Sequence, residues 1–187
     1  RQLVRHRTAN INEYSGRYSE MSSDYYVPAK EYLRKQSKEN KQGGSEPHSS
    51  PGLIHFEYNR QHDGAQITYE NLIREDIARE IARCVLPVSN YTEVVWKSDL
   101  HNFLHMIKLR SDSHAQQEIQ DYANAMYELV KPKFPIICEA WENYVRDAQT
   151  FSPEELKIIK DNLNGSWQMN KYDLNNREAK EFMEKIR

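Results

Sequence analysis

At 187 residues and a formal net charge of −2, the chain has the length of a single domain with enough residues to bury a core. Its 26 Lys and Arg against 28 Asp and Glu argue against nucleic acid as the main partner, because a phosphate-backbone binder carries a basic excess. The sequence holds no run of about 18 apolar residues and its start is too charged for a signal peptide, so a cytoplasmic protein without a membrane span is expected.

Hydrophobic residues are 38% of the chain and charged residues 29%, lean for an isolated globule. Part of the apolar surface is therefore expected to be completed by other subunits or by further chain, with twelve tyrosines and three tryptophans supplying amphipathic contact area. Cys84 and Cys138 fall in apolar helical surroundings without metal-ligand spacing. They are expected to be buried free thiols in a reducing compartment.

In chain order, residues 5 to 17 read RHRTANINEYSGR. Arg5, His6 and Arg7 bring up to three positive charges beside Gln2, and Asn12, Glu13, Ser15 and Arg17 add donors, an acceptor and another cation. Such a set suits an anionic, hydrogen-bond-rich ligand, a nucleotide or a phosphorylated cofactor, because the guanidinium fork meets phosphate or carboxylate in bidentate fashion. The plainer alternative is a solvated basic turn followed by a polar strand edge.

Residues 14 to 27 read as extended structure leading to Pro28, and residues 38 to 52, rich in Gly, Ser and Pro, as a mobile loop or insertion. The alternation in IHFEYN, residues 54 to 59, predicts a short strand. From Thr68 a helix is predicted, with Leu72, Ile73, Ile77, Ile81, Cys84 and Val85 in one stripe ending near Pro87. A second is expected from about Thr92 to Trp96 onward, burying Trp96, Leu100, Phe103, Leu104 and Ile107. Ser113 and Gln116 have capping-box spacing ahead of a helix burying Ala115, Ile119, Tyr122, Ala123, Met126 and Val130 and closed by Lys131-Pro132. Pro135 opens another helix through about Val145. Ser152-Pro153-Glu154-Glu155 starts a short helix to Gly165, and a charged final helix begins near Asn175. No internal repeat is present.

Four positions invite a chemical reading. Glu80 lies on the arc of Ile73, Ile77 and Cys84, where an intrahelical ion pair with Arg79 or Arg83 would satisfy it. His101 and His105 share a helix face at metal-pair spacing, but no third ligand accompanies them and Lys97 and Lys108 oppose a cation, so no metal is expected. Arg110 ends an apolar helix and leans toward its core face, where it could complement the helix dipole, typically for about 0.3–1 kcal/mol. His114, at a helix start, reads as structural. There is no G-x-G-x-x-G, no Walker loop and no evident nucleophile with its base.

Arg5-His6-Arg7, Asn12-Glu13 and Ser15-Gly16-Arg17-Tyr18 together resemble the signature of the flavin-dependent thymidylate synthases. LHMIKLRSDSHAQQEIQDYA at 104 to 123 is similar to that family's other recognisable segment, and IAREIARCVLP at 77 to 87 also resembles it. Beyond about residue 145 the tail carries no family segment.

The resemblance implies an α+β fold, a twisted and largely antiparallel sheet packed with helices and helix-dominated in the part present, with the family's N-terminal third absent. Residues 1–150 would be the catalytic domain and 151–187 a helical C-terminal extension. It further implies FAD held by Arg5, His6, Arg7, Thr8, Glu13, Asp99, Leu100, His101 and His105. dUMP would be bound by Gln2, Arg5, Glu13, Tyr14, Ser15, Gly16, Arg17, Arg83 and Arg110. Arg110 would act catalytically by favouring ionisation at N3 of the pyrimidine. The implied reaction is reductive methylation of dUMP to dTMP, with methylenetetrahydrofolate as one-carbon donor and NADPH as reductant, in a homotetramer whose sites are shared between subunits. Three positions depart from the family pattern: Asn10 stands for a common Ser, Asp99 for Asn and Gln117 for Trp. The alternative is a non-catalytic nucleotide-binding or interaction module that keeps the anionic pocket.

Overall fold

A computed structural model describes residues 2–38, 44–162 and 176–186, and the chain divides into two compact units, Arg1–Lys133 and Phe134–Arg187. The class is α+β, as expected. In the first unit the strands are β1 (Asn10–Glu13), β2 (Arg34–Gln36), β3 (Gly44–Pro47) and β4 (Val94–Lys97), and the helices are α1 (Pro51–Arg74), α2 (Arg79–Ala82), α3 (Leu100–Arg110) and α4 (Gln117–Val130). The second unit carries α5 (Pro135–Trp141), which passes directly into a π-helical turn at Glu142–Arg146, then α6 (Pro153–Asn162) and α7 (Asn176–Lys185).

The antiparallel component consists of two ladders. β1 pairs with β4 in the register Asn10 to Lys97, Ile11 to Trp96, Asn12 to Val95 and Glu13 to Val94, and β2 pairs with β3 across a register irregularity between Arg34 and Gln36. The helix expected at Thr92–Trp96 is therefore a correction. Val94, Val95 and Trp96 are β-branched or aromatic, and their pairing with β1 outweighs the helical spacing that links Trp96 to Leu100. The next helix starts only at Leu100, because the Asp99 carboxylate caps it by accepting the Asn102 backbone N–H at 2.9 Å.

The strand expected at residues 54–59 is also corrected, since the segment is the first half of α1. Pro51 occupies its first turn, and the residues it buries, His62, Ala65 and Tyr69, recur at three- and four-residue intervals. Phe56, which a strand would have buried with Ile54, is 60% exposed. Nor does one helix run from Thr68 to Pro87. α1 stops at Arg74, Asp76 takes a left-handed conformation with φ 57°, and a four-residue α2 and a 3-10 turn at Arg83–Val85 follow. Aspartate tolerates that conformation better than most side chains. The supposed stripe is thus split, Ile77 and Ile81 are exposed while Ala82 is fully buried, and Cys84, expected inside, is exposed.

α3 buries Phe103, Leu104, Met106 and Ile107, and Trp96 of β4 packs against Phe103 with ring centroids 6.4 Å apart. α4 packs on α3 and buries Ala123 and Tyr127, whereas Tyr122 is 63% exposed. The expected Ser113–Gln116 box does not form. Asp112 instead accepts the His114 N–H at 2.8 Å, and α4 begins at Gln117. Residues 14 to 27 contribute a turn at Ser15–Ser19 and an isolated bridge from Tyr25 to Asn90. Of the loop expected at 38–52, residues 39–43 lie outside the described residues, 44–47 form β3 and 51–52 begin α1.

In the second unit Cys138, Trp141, Ile158 and Phe182 are buried. The serine cap expected at Ser152 is present as a reciprocal box: Ser152 Oγ accepts the Glu155 N–H at 3.2 Å and Glu155 Oε2 accepts the Ser152 N–H at 2.6 Å. Lys185 Nζ of α7 donates to both Glu155 oxygens, at 2.7 and 2.9 Å. The tail helices end and begin at Asn162 and Asn176, and Gly165 falls outside the described residues.

The Lys185 hydrogen bond, followed by the Ser152 N–H, holds the Glu155 carboxyl below its ordinary value of 4.5. A depressed acid contributes stability above its unfolded-state value and loses it as pH falls through the folded one. Amide-exchange protection in α6 and α7 should therefore decline on acidification from about pH 5 to pH 3, and Glu155→Gln should flatten that decline. A profile unchanged by Glu155→Gln would show that the carboxylate does not hold the two helices together.

Candidate functional site

The two sequence segments singled out above are brought together by side-chain hydrogen bonds. Arg110 Nε donates to His6 Nε2 at 2.9 Å, across 104 positions of chain. α3 brings Arg110 there from its last turn, anchored by Met106 and Ile107 at 0% and 1% exposure. His6 follows the 3-10 turn Leu3–Arg5, and its N–H closes that turn on the Leu3 carbonyl at 3.1 Å. Because a guanidinium does not deprotonate, His6 Nε2 must be the acceptor. The imidazole is then neutral, with its proton on Nδ1. Burial, then the Arg110 charge, then His105 push its pKa below 6.5.

Arg110 also lines an open cleft of about 850 Å³, together with Gln2, Arg5 and the start of α4. Gln2 Nε2 donates to Gln116 Oε1 at 2.6 Å across the two segments. This cleft does not include Glu13 to Arg17 or Arg83, so the residues expected to bind dUMP form two groups within one chain.

The second group surrounds Gly16. Ser15 O accepts the N–H groups of Tyr18 and Ser19, each at 3.2 Å, and its Oγ accepts that of Arg17 at 3.3 Å, which makes a tight turn. Gly16 is buried there. A Cβ on it would stand 2.6 Å from Met21 Sδ and 3.2 Å from Arg83 Cδ. Met21 is held in place by its N–H, which donates to the buried Tyr69 hydroxyl of α1 at 3.0 Å. Arg17 Nε donates to Glu80 Oε2 at 3.2 Å, so Glu80 pairs with Arg17 rather than with Arg79 or Arg83 on its own helix. Arg79 reaches Glu20 at 3.8 Å. Tyr14 fastens the same turn through its N–H to the Glu93 carbonyl at 2.9 Å and its hydroxyl to the Glu20 carbonyl at 3.1 Å. Glu13 closes the β1–β4 ladder opposite Val94.

A smaller pocket is lined by Thr8, Asn10, Lys97, Ser98 and Asp99. The Ser98 Oγ is buried without a hydrogen-bond partner, which marks the pocket as a place for a polar ligand group. Asp99 is engaged elsewhere, its second oxygen accepting the Asn102 side-chain amide at 2.6 Å. Those two bonds hold its carboxyl below the usual carboxylate range. It therefore brings its charge to this rim as an N-cap already committed to α3. Leu100 opens α3 half-buried, and His101 and His105 stand exposed on it. Among the described residues no three His, Cys, Asp or Glu side chains cluster as metal ligands, and no helix is long and apolar enough to cross a membrane.

Thr8 and the orphaned Ser98 hydroxyl share the smaller pocket, and Arg5 and Arg7, just before Thr8 in the chain, have no ion pair among the described residues. Cations and hydroxyls are the donor chemistry that suits a phosphate-bearing flavin. Sequence reasoning missed Ser98, Gln116 and Gln120 as parts of these sites. It also missed Tyr32, of the 3-10 turn Lys30–Tyr32, and Arg34 of β2, which line the large cleft. The signal available for them was weak, since nothing in a strand as short as Arg34–Gln36 announces its neighbours.

Comparison with known proteins gives this geometry a family. Residues 1–136 match the family described as Thymidylate synthase complementing protein. The chain is 42% identical over 188 residues to a flavin-dependent thymidylate synthase of Dictyostelium discoideum, covering 99% of this chain and 59% of that protein. It is 40% identical over 190 residues to one of Treponema denticola, covering 100% and 70%. Both alignments run through the tail, where the sequence by itself showed no family segment. Among solved structures, a UMP/dUMP methylase PolB from Streptomyces cacaoi bound with 5-Br dUMP superposes with a TM-score of 0.69 at 33% identity, over 77% of this chain and 65% of that one. The same protein with 5-Br UMP gives 0.71 at 31% identity. The chain thus spans about three fifths of the Dictyostelium relative's length, and the match over residues 1–136 makes it a member of the thymidylate synthase complementing protein family, to which its flavin-dependent thymidylate synthase relatives correspond.

Proposed function

We propose that this chain is the larger part of an enzyme that methylates dUMP to dTMP, using FAD, methylenetetrahydrofolate as one-carbon donor and NADPH as reductant. The observation that carries the reading is the Arg110–His6 bond, which joins the two family-like segments at a residue, Arg110, that lines the cleft with Arg5 and Arg34. Family membership and the uridylate analogues bound by the PolB neighbour support it. In this reading the enzyme is cytoplasmic, residues 1–150 form the catalytic domain and 151–187 a helical extension.

FAD, when bound, supplies the redox chemistry of the reaction. Arg5, His6, Arg7 and Thr8 would hold it, with Glu13, Leu100, His101, His105 and the Thr8–Asp99 pocket contributing. Two unpaired guanidiniums near the flavin oppose the negative charge that Asp99 adds. The neutral His6 keeps a third cation from crowding Arg110.

Arg110, with Gln2, would meet the uracil ring. A permanently charged guanidinium stabilises an anion at N3 without exchanging a proton itself. Tyr14, Ser15, Gly16, Arg17 and Arg83 would bind the rest of the nucleotide, Arg17 exchanging its Glu80 partner for phosphate. The division of these residues between the cleft and the Gly16 turn supports a homotetramer in which one nucleotide is held by more than one copy.

The decisive test is anaerobic NADPH oxidation by the FAD-loaded full-length protein in the presence of methylenetetrahydrofolate, with and without dUMP, followed by product analysis. dTMP formation is expected, and its absence from a protein that still binds dUMP would leave only a nucleotide-binding module. Arg110→Ala should lower kcat by about 10²–10³-fold or more, the usual loss on removing one preorganised charge-stabilising group, while the bound-flavin absorbance persists. Retained turnover would remove Arg110 from the chemistry.

His6 gives a pH signature. Its lowered pKa means that the Arg110 bond is intact above about 6.5 and is lost as pH falls through the folded-state value. By NMR the His6 ring should titrate below 6.5, and Arg110→Ala should move that titration upward.

Gly16→Ala tests the turn. Its Cβ would crowd Met21 Sδ and Cγ and Arg83 Cδ, all in flexible side chains. Met21 Sδ at 2.6 Å is the atom that must move and Arg83 Cδ at 3.2 Å yields slightly, so the melting temperature should change little while the turn and its Arg83 contact shift. A displaced contact worth about 1.4 kcal/mol raises the dUMP Kd about tenfold. An unchanged Kd by calorimetry would exclude the close packing of the Gly16 turn from nucleotide binding.

A further inference from the structure

The cleft that holds Arg110 has a wall that the proposed reaction leaves unused. Tyr32, from the 3-10 turn Lys30–Tyr32, and Arg34 and Gln36 of β2 line it along with Arg5 and Arg110. None of these three arginines has an ion-pair partner among the described residues. The single acid in the lining, Glu118, accepts the Tyr26 hydroxyl at 2.7 Å.

Arg34 is held there by construction. Its side chain lies across Gly44 on the neighbouring strand, where an added Cβ would collide with Arg34 Cβ and stand 3.1 Å from its Cδ. Any other residue at that position would push the arginine off the strand. In a chain of net charge −2, three guanidiniums lining one concavity without an ion pair among the described residues give it a positive potential that favours an anion. A volume of about 850 Å³ lies near the upper end of the ~300–1,000 Å³ typical of ligand pockets. It leaves room beyond the pyrimidine that Arg110 would meet.

We propose that Arg34, presented by the β2–β3 hairpin, is a further anion-binding residue of this cleft, taking the phosphate or carboxylate at the far end of an extended co-substrate that lies beside the nucleotide. The proposal rests on the reading of the preceding subsection for the presence of such a co-substrate. Two sources share the chemistry: the phosphates of a nicotinamide dinucleotide and the glutamate carboxylates of a folate.

The test is calorimetric titration of the full-length protein, with dUMP present, using NADP⁺ and folic acid as separate probes on wild type, Arg34→Ala and Arg34→Lys. Loss of one charge-assisted hydrogen bond should weaken binding of at least one probe about ten- to hundredfold in Arg34→Ala. Arg34→Lys, which keeps the charge and loses the fork, should recover part of it. The dUMP Kd and the melting temperature should stay at their wild-type values, since Arg34 is exposed. Weakening of NADP⁺ alone identifies the phosphate, and weakening of folic acid alone identifies the carboxylate. The proposal is overturned if both probes bind Arg34→Ala as they bind wild type, if neither binds wild type, or if dUMP affinity falls in parallel. A protein that binds a probe through Arg34 yet forms no dTMP would overturn the proposed reaction and leave this binding site standing.

Discussion

The site is organised around a hydrogen bond from a permanent cation to a neutral imidazole. Arg110 cannot lose its proton, so its bond to His6 exists only while the ring is unprotonated at Nε2. That requirement couples the electrostatics of the basic segment to the packing of α3. The helix end is fixed by Met106 and Ile107 in the core, and the short 3-10 turn before His6 is fixed by its own backbone bonds. Neither segment alone defines the cleft, and a shift in either would separate donor from acceptor.

The other half of the site depends on close approach rather than charge. Tyr69, buried in α1, grips the Met21 backbone, Met21 presses on Gly16, and Gly16 leaves room for the Arg83 stem. A long helix with a weakly amphipathic sequence thereby positions a turn about fifty residues upstream. Glu80 gives Arg17 a resting partner. Both groups are more than half exposed, so the pair contributes little to stability and can yield to a stronger anion.

The errors in reading the sequence share a physical origin. Residues 54–59 alternate well enough for a strand and 68–87 repeat well enough for one helix, but periodicity reports which side chains are apolar, not which neighbours will cover them. α1 extends over the first because Ser50-Pro51 opens a helix that nothing inside it interrupts. The second breaks because Asp76 adopts a left-handed conformation. Thr92–Trp96 pairs as a strand because β1, some eighty residues earlier, offers it a ladder. Asp99 was legible as a departure from a family pattern, while its role as the cap of α3 required the Asn102 contacts.

By itself the sequence determined the local and compositional facts: the basic segment at 5 to 17, the arginine ending α3, the serine cap at 152, the α+β class and the family resemblance. These are set by residue type and short spacing, which the chain carries wherever it folds. Only the tertiary structure decided that His6 meets Arg110, that Arg17 pairs with Glu80, that the two groups of expected nucleotide ligands stand apart, and that the β2–β3 hairpin adds Arg34 to the cleft. Each of those depends on which surfaces are buried against one another. Such long-range choices are made by packing and ladder pairing, and one-dimensional spacing does not encode them.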